Sequence, residues 1–567
     1  MPTRLRATPL LLAALLVVAI SPLAAPRASA ADELEPLTTG QLSRRVSGEV
    51  FGYLPYWSIA SWTADYLRYD TLTDIAFFGV GIKKNGNLDT DSPGYLDLMS
   101  PTGTEIIQRA HARGVRIHIT FQSFGGDRNR VLFADPSALA TFRSQARALV
   151  RQRGADGANL DIEGINNDFW PAWAATISQL RTALRKDNPI ARVSVATNLN
   201  TTGARMAKVA TDAGADRVFM MTYVVRTALS NPVGSNDPLV HYTGGYSLTS
   251  SLDDYAAKGV PSGRILLGLP FYGMTWPTVS SALHAKRRPV ADGLGDGNSF
   301  FPSSLANDGL PAGATVDHDT IEKSARITWY DGAKASWYQT YYDDPTSTRQ
   351  KAKLAVTRGL AGMGIWALGY ERGVPGYWEA IAATFPPPQL LTVKVSPRPT
   401  DSRNVTVRAT WDAGAHAVTK MRLSNDGATW SDWRTASTAT PWRLSAGNGT
   451  KRVYVQVRDG ALARSATVAG STKLDTVGPV VAPLGLVRQP AKHRWKLTWS
   501  ATDATTGVAG YRVRYRIGSG SWHVLKTWTT ETRAYLQLPK RYTVTFSVTA
   551  RDEAGNWGDD RRVRWTP

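Results

Sequence analysis

A chain of 567 residues is too long for one hydrophobic core, so several domains are expected. It has no cysteine, which excludes disulfide stapling and any zinc or iron–sulfur site built on thiolates. The formal charge of +20 is unevenly placed: from 391 onward 28 Lys and Arg face 12 Asp and Glu, and 31–390 is left near neutral, so any anionic partner belongs to the C-terminal third.

The first thirty residues read as a secretory signal. Arg4 and Arg6 open it, an apolar run from Pro9 to Ile20 follows, and Ala28-Ser29-Ala30 fits a cleavage site, so the mature chain begins near Ala31. A secreted, extracellular or cell-wall-associated protein is expected. The apolar run is too short to span a bilayer comfortably, and no later stretch approaches the roughly 20 apolar residues of a membrane helix. An uncleaved N-terminal anchor is the alternative.

From 52 to 371 short apolar runs alternate with helix-like stretches, the pattern of a parallel sheet wrapped by helices. Strands are expected at 52–57, 74–82, 115–124, 157–164, 192–198, 217–224, 265–273 and 362–371. Eight strand–helix repeats predict an α/β fold, a closed (β/α)8 TIM barrel over 48–386 with its active site at the carboxyl ends of the strands. A doubly wound open sheet is the alternative. The long gap between the seventh and eighth strands holds strand-like 324–331 and 335–343, rich in Trp and Tyr, and reads as an insertion walling a groove. Pro386-Pro387-Pro388 is expected to end the barrel and start a stiff linker.

Beyond it come short alternating runs at 405–411, 451–458, 495–499, 511–515 and 543–550, which predict small all-β sandwiches. Two modules are expected, 391–477 and 480–567. VYVQVRDGA at 453–461 and FSVTARDEAGN at 546–556 occupy similar closing positions, and 475–483 supplies a linker. The pattern resembles fibronectin type III or bacterial immunoglobulin-like repeats.

The strongest chemical signal is the run from Asp156 to Glu163. Strand alternation sends Asn159, Asp161 and Glu163 to one face and Leu160 and Ile162 to the other. Two carboxylates two residues apart at the end of a barrel strand repel when both are charged, so one is expected to have a raised pKa. Such a carboxyl can protonate a glycosidic leaving group. A pair of acids on a solvated edge is the bland alternative.

The run resembles D-G-x-D-x-D-x-E, the fourth-strand hallmark of glycoside hydrolase family 18, the chitinase-like barrels. Ser123-Phe124-Gly125-Gly126 sits where the family has S-x-G-G, Met221-Thr222-Tyr223 matches M-x-Y, and Ile365-Trp366-Ala367 matches the closing strand. The runs 52–57 and 268–273 look like the family's first and seventh strands. The resemblance implies a hydrolase of β-1,4-linked N-acetylglucosamine polymers, chitin or chitin-like, acting by a substrate-assisted retaining mechanism. In that scheme Glu163 protonates the leaving oxygen and later deprotonates water. Asp161 orients the acetamido N–H and stabilises the positive charge, Tyr223 bonds the acetamido oxygen, and Trp366 floors the sugar. Tyr53, Trp57, Met221 and Asn159 are further substrate-binding candidates. For Tyr223 and Trp366 burial alone is the alternative. No metal or cofactor is implied.

Asn159 replaces the first hallmark Asp and Val224 the Asp that usually follows M-x-Y. Asn159 is expected to hydrogen-bond Asp161 without sharing a proton, leaving Asp161 more fully ionised. A similar Asn occurs in the bacterial branch resembling spore-germination and cell-wall hydrolases. Val224 is expected to change substrate preference or lower the rate.

Residues 391–567 hold ten of the nineteen tryptophans. Exposed rings would stack on sugar faces, whereas β-sandwiches also bury Trp. The basic balance predicts salt-sensitive attraction to anionic cell-wall polymers, with solubility as the alternative; no nucleic-acid recognition motif is visible. Peptidoglycan glycan is the alternative substrate. The rival of a different class is a lectin that kept the barrel and lost catalysis, against which the presence of Glu163 and Asp161 counts.

Overall fold

The computed structural model describes residues 34–567 except 39, 40, 43 and 540; the expected leader lies outside the described residues. The strands β1 (Glu49–Pro55), β2 (Asp74–Gly81), β3 (Arg116–Phe124), β4 (Gly157–Glu163), β5 (Arg192–Asn198), β6 (Arg217–Met221) and β7 (Ile265–Pro270) belong to one sheet. Five strands then form an insertion: β8 (Gly273–Thr278), β9 (Asn298–Phe300), β10 (Thr315–Asp319), β11 (Ser324–Asp331) and β12 (Ser336–Tyr342). With β13 (Gly362–Trp366) between β7 and β1, the sheet closes as an eight-stranded parallel barrel. Helices cover its outside. Several start on a capping side chain followed by proline, as at Ser100-Pro101, Asp135-Pro136 and Asp344-Pro345.

Alternation along each strand divides the apolar residues into two cores. Outward residues such as Val50, Ile75, Ile119, Leu160 and Val193 pack under the helices, while Phe51, Tyr53, Phe78, Phe219 and Met221 fill the barrel. Phe219 fits because β7 and β13 carry glycine opposite it. A Cβ on Gly364 would lie 2.0 Å from its ring, and one on Gly268 2.3 Å. Gly364→Ala is therefore expected to overpack the barrel and destabilise it by about 1–3 kcal/mol, read as a lower denaturation midpoint; an unchanged midpoint would contradict this packing.

The amino end of the barrel is closed by charge. Glu49 and Asp74, the first residues of β1 and β2, are buried among Arg44, Arg116, Arg192 and Arg217. Glu49 accepts from Arg192 at 2.8 Å and from Arg217 at 2.6 Å through two nitrogens, and His118 Nε2 lies 3.0 Å from Asp74. Burial alone would push both carboxyls up. The guanidiniums around Glu49, and His118 with Arg44 and Arg116 around Asp74, hold them below the usual carboxylate range.

The insertion corrects the expectation of two strands. Its sheet has five, in the order β10-β11-β12-β8-β9. The seventh expected strand splits, because the chain leaves the barrel at Phe271-Tyr272 and β8 pairs antiparallel with β12. The expected sixth and eighth strands also end early, at Met221 and Trp366, where the backbone turns away from its ladder.

After the barrel come small antiparallel sheets. The first unit joins a three-stranded sheet (Gln389–Ser396, Asn404–Asp412, Ala439–Arg443) to a four-stranded one (Arg434–Thr435, Val418–Ser424, Gly449–Asp459, Val468–Leu474) over a core that includes Val407, Met421 and Val455. The second pairs a three-stranded sheet (Gly485–Gln489, Arg494–Thr498, Arg533–Leu536) with a four-stranded one (His523–Thr529, Val508–Ile517, Val544–Asp552, Arg561–Trp565), closing on Leu497, Trp499, Val513 and Phe546.

The stiff linker expected at Pro386–Pro388 is not a spacer. The Pro386 carbonyl accepts from Ala415 N, and the first strand of the unit begins at Gln389. The unit docks on the amino face of the barrel, where Ser47 Oγ bonds Asp459, Arg44 donates to the Ala461 carbonyl at 3.1 Å, and Arg44 bridges to Ala463. The expected linker at 475–483 is likewise packed at its start. Asp475 is fully buried and its carboxylate accepts from Asn448 and Thr506.

Candidate active site

The end of β4 is fixed from β3. Gly125 adopts φ +97, a conformation that favours glycine, and its N–H donates to the Glu163 carbonyl at 3.1 Å. Asn129 Nδ2 donates to the same carbonyl at 2.6 Å. The backbone that carries Glu163 is thus held at the strand terminus, with its side chain free to face the barrel mouth.

Asp161 and Glu163 meet Tyr53, Trp57, Met221, Tyr223 and Trp366 in one cleft of about 690 Å³ at the carboxyl ends of the strands. Tyr56, Phe78, Gln122, Phe124 and Val224 complete its lining. Trp366 packs edge to face with Phe78 at 4.7 Å and with Tyr53 at 5.4 Å between centroids, which fixes the ring at the floor. Trp57 is half exposed at the rim and donates from its indole to Tyr370 at 3.0 Å. Tyr223 is buried; Tyr272 donates to its carbonyl, and its own hydroxyl has no hydrogen-bond partner among the described residues.

Asn159 lies beneath the cleft rather than in its lining. The expected bond to Asp161 is absent from its amide: Oδ1 accepts from Tyr53 at 2.9 Å and Nδ2 donates to Ser194 at 2.9 Å. Both partners come from other strands, which is why spacing along β4 did not reveal them. Asp161 Oδ1 is left buried without a partner. The expectation of a more fully ionised Asp161 is corrected with it. Burial first, and the charge of Glu163 second, push the Asp161 carboxyl well up, and burial raises Glu163 as well.

Sequence reasoning missed Phe78 and Gln122. Gln122 shares the inward face of β3 with His118 and Phe124, so the alternation that found Glu163 also marks it, whereas Phe78 stands where the β2 ladder breaks after Phe77. Gln122 Oε1 is buried and unpartnered beside Asp161, on the adjacent strand. Val224 is 44% exposed on the wall of the cleft, giving that wall an apolar surface. Its loop is held from behind, because Arg226 pairs with Glu322 of the insertion at 2.8 Å and Val225 N donates to the Asn236 carbonyl.

The family model for glycosyl hydrolases family 18 matches residues 49–371. The chain belongs to this family. Its barrel is that of a chitinase-like glycosidase. Among curated relatives of the chain, Nod factor hydrolase protein 1 of Medicago truncatula is 29% identical over 273 residues, 44% of this chain and 69% of the relative. Chitinase A1 of Niallia circulans is 26% identical over 493 residues, 77% of this chain and 68% of the relative. Among solved structures, chitinase ChiA74 from Bacillus thuringiensis aligns with a TM-score of 0.50 at 15% identity, covering 91% of this chain and all of its own. Catalytic domain 2 of the Ostrinia furnacalis Group II chitinase aligns at 0.52 and 18%, covering 59% and 96%. At these identities the structural likeness speaks for the fold alone.

Among the described residues, two groups outside the family 18 cleft have the composition of metal ligands, His284 with Asp319 and Glu322, and Asp475 with Asp503 and Asp552. In the first, Glu322 is occupied by Arg226. In the second, each carboxylate accepts from neighbouring N–H groups.

Proposed function

We propose that the chain is an exported endo-acting hydrolase of β-1,4-linked N-acetylglucosamine polymers, chitin or chitin-like, working by substrate assistance. The observation that carries this reading is the pairing of Asp161 with Glu163 on the inner face of one strand, both raised by burial, above an aromatic floor. Glu163, at the strand end and nearer solvent, is the proton donor to the leaving oxygen. Asp161, deeper and with an unpartnered oxygen, is placed to take the acetamido N–H; positive charge developing beside it opposes the effect of burial and favours its carboxylate form, which then stabilises that charge. Tyr223 has a free hydroxyl for the acetamido oxygen, and its burial keeps the phenol protonated. The attacking atom is then the sugar's own acetamido oxygen, and no second enzyme carboxylate is needed.

The arginine-led apolar leader supports export. The C-terminal units read as fibronectin type III- or immunoglobulin-like accessory modules, and their positive balance favours an anionic wall polymer as partner. No helix among the described residues is long and apolar enough to cross a membrane.

The test compares N-acetylglucosamine oligosaccharides with the same oligomers after removal of their acetyl groups, following release of reducing ends. Cleavage of the acetylated series alone is expected. Equal cleavage of both would overturn substrate assistance, and release from purified peptidoglycan in preference to chitin oligomers would replace the substrate.

A further inference from the structure

The two C-terminal units repeat an arrangement that the barrel's chemistry does not use. In the second unit Tyr511 and Val513 of the strand Val508–Ile517 are buried, and Arg512, Arg514 and Arg516 take the opposite face of the sheet. There Arg514, Arg516 and Arg562 surround Trp522 at 5.4, 5.0 and 5.5 Å. In the first unit Arg422 lies 4.7 Å from both Trp430 and Trp433, and Arg458 lies 4.6 Å from Trp433. The tryptophan follows its arginine by eight residues in both, Arg422 to Trp430 and Arg514 to Trp522. The unit cores close without these residues.

The fold does not saturate this charge. Among the described residues Asp560 pairs with Arg514 and Arg562, while Arg422, Arg458, Arg512 and Arg516 have no acidic partner; the Nε donors of Arg458, Arg512, Arg514 and Arg516 face inward, buried and unpartnered. A guanidinium lying against an indole is held in one orientation while its remaining N–H groups stay available to an anion. Next to them Trp528 and Trp557 pack edge to face at 6.0 Å and remain 47% and 42% exposed; Arg512 and Arg551 lie against Trp557 at 4.8 and 5.8 Å, so the pair sets an exposed indole beside the cations.

We propose that these faces bind an acidic polysaccharide, with the arginines taking its carboxylates and the Trp528–Trp557 pair taking the face of a sugar ring. The inference rests on the reading of an anionic partner for the C-terminal units and gives it a surface and a ligand chemistry. Charge-assisted arginine–carboxylate bonds supply affinity. The exposed rings favour a glycan over an ion-exchange interaction with any polyanion, and the glycosidase barrel on the same chain places the protein among glycans.

The test is affinity electrophoresis of the full chain through gels containing polygalacturonate, against gels containing neutral dextran. Retardation by the polyuronate that weakens with added salt is expected. The triple variant Arg512→Gln, Arg514→Gln, Arg516→Gln should bind on the order of tenfold more weakly, with unchanged turnover of soluble N-acetylglucosamine oligosaccharides. Trp528→Ala with Trp557→Ala, at exposed rings, is the second variant and should also weaken retardation, so a misfolded arginine variant does not end the test. Equal retardation of wild type and both variants overturns the surface while leaving an anionic partner standing. No retardation of the wild type overturns both, and tighter binding of single-stranded DNA or of anionic vesicles than of polyuronate overturns the glycan.

Discussion

Glu163→Gln is expected to leave the protein able to bind N-acetylglucosamine oligosaccharides and unable to cut them. Gln keeps the size and hydrogen-bonding reach of the side chain and removes the transferable proton, so turnover should fall by about a hundred- to ten-thousand-fold. Binding measured by titration calorimetry should change little. Because burial raises the Glu163 carboxyl, the proton stays on to higher pH, and the alkaline limb of kcat/KM should lie above the ordinary carboxylate range. Asp161→Asn should cost about a hundredfold or more, through lost stabilisation of positive charge. Residual turnover near wild type in either variant would remove that residue from the chemistry. Tight binding by a wild type that cuts nothing would make Val224 the suspect and move the chain to the lectins.

A second large effect is expected far from the cleft. Glu49→Gln removes the anion shared by Arg44, Arg192 and Arg217 and leaves these guanidiniums crowded in a buried layer. Breaking a buried ion pair on one side typically costs about 3–5 kcal/mol, so the denaturant midpoint should fall markedly with the active site intact. The sign with pH follows from a lowered folded-state pKa. The stabilisation by Glu49 is present above the ordinary carboxylate pKa and is lost as pH falls through the depressed value. The gap between wild type and variant should therefore narrow in acid. A gap that widens in acid would show that Glu49 is not held ionised by its arginines.

Most of the barrel was legible because its strands alternate between two cores, with a break in β2 after Phe77, and the same alternation placed Asp161 and Glu163 inward. The insertion was less so. Its strand Gly273–Thr278 contains Pro277 and pairs with Ser336–Tyr342, sixty or so residues away in sequence, so no local pattern announced it. Asn159 illustrates a different limit. Its type and position were plain, but Tyr53 and Ser194, which claim its amide, arrive from β1 and β5. The hold of Arg226 on the loop bearing Val224 was hidden for the same reason, since Glu322 lies in the insertion. Composition could not say which C-terminal tryptophans are core. Trp499 is buried and Trp411, Trp442 and Trp565 pack on the cores, whereas Trp528 and Trp557 face outward.

The first C-terminal unit is seated on the closed end of the barrel, and the cleft opens at the other end. A molecule tethered through those units is gripped by its heel with its mouth turned away. If those units hold a polymer as proposed, the cleft at the opposite end stays open to a second strand.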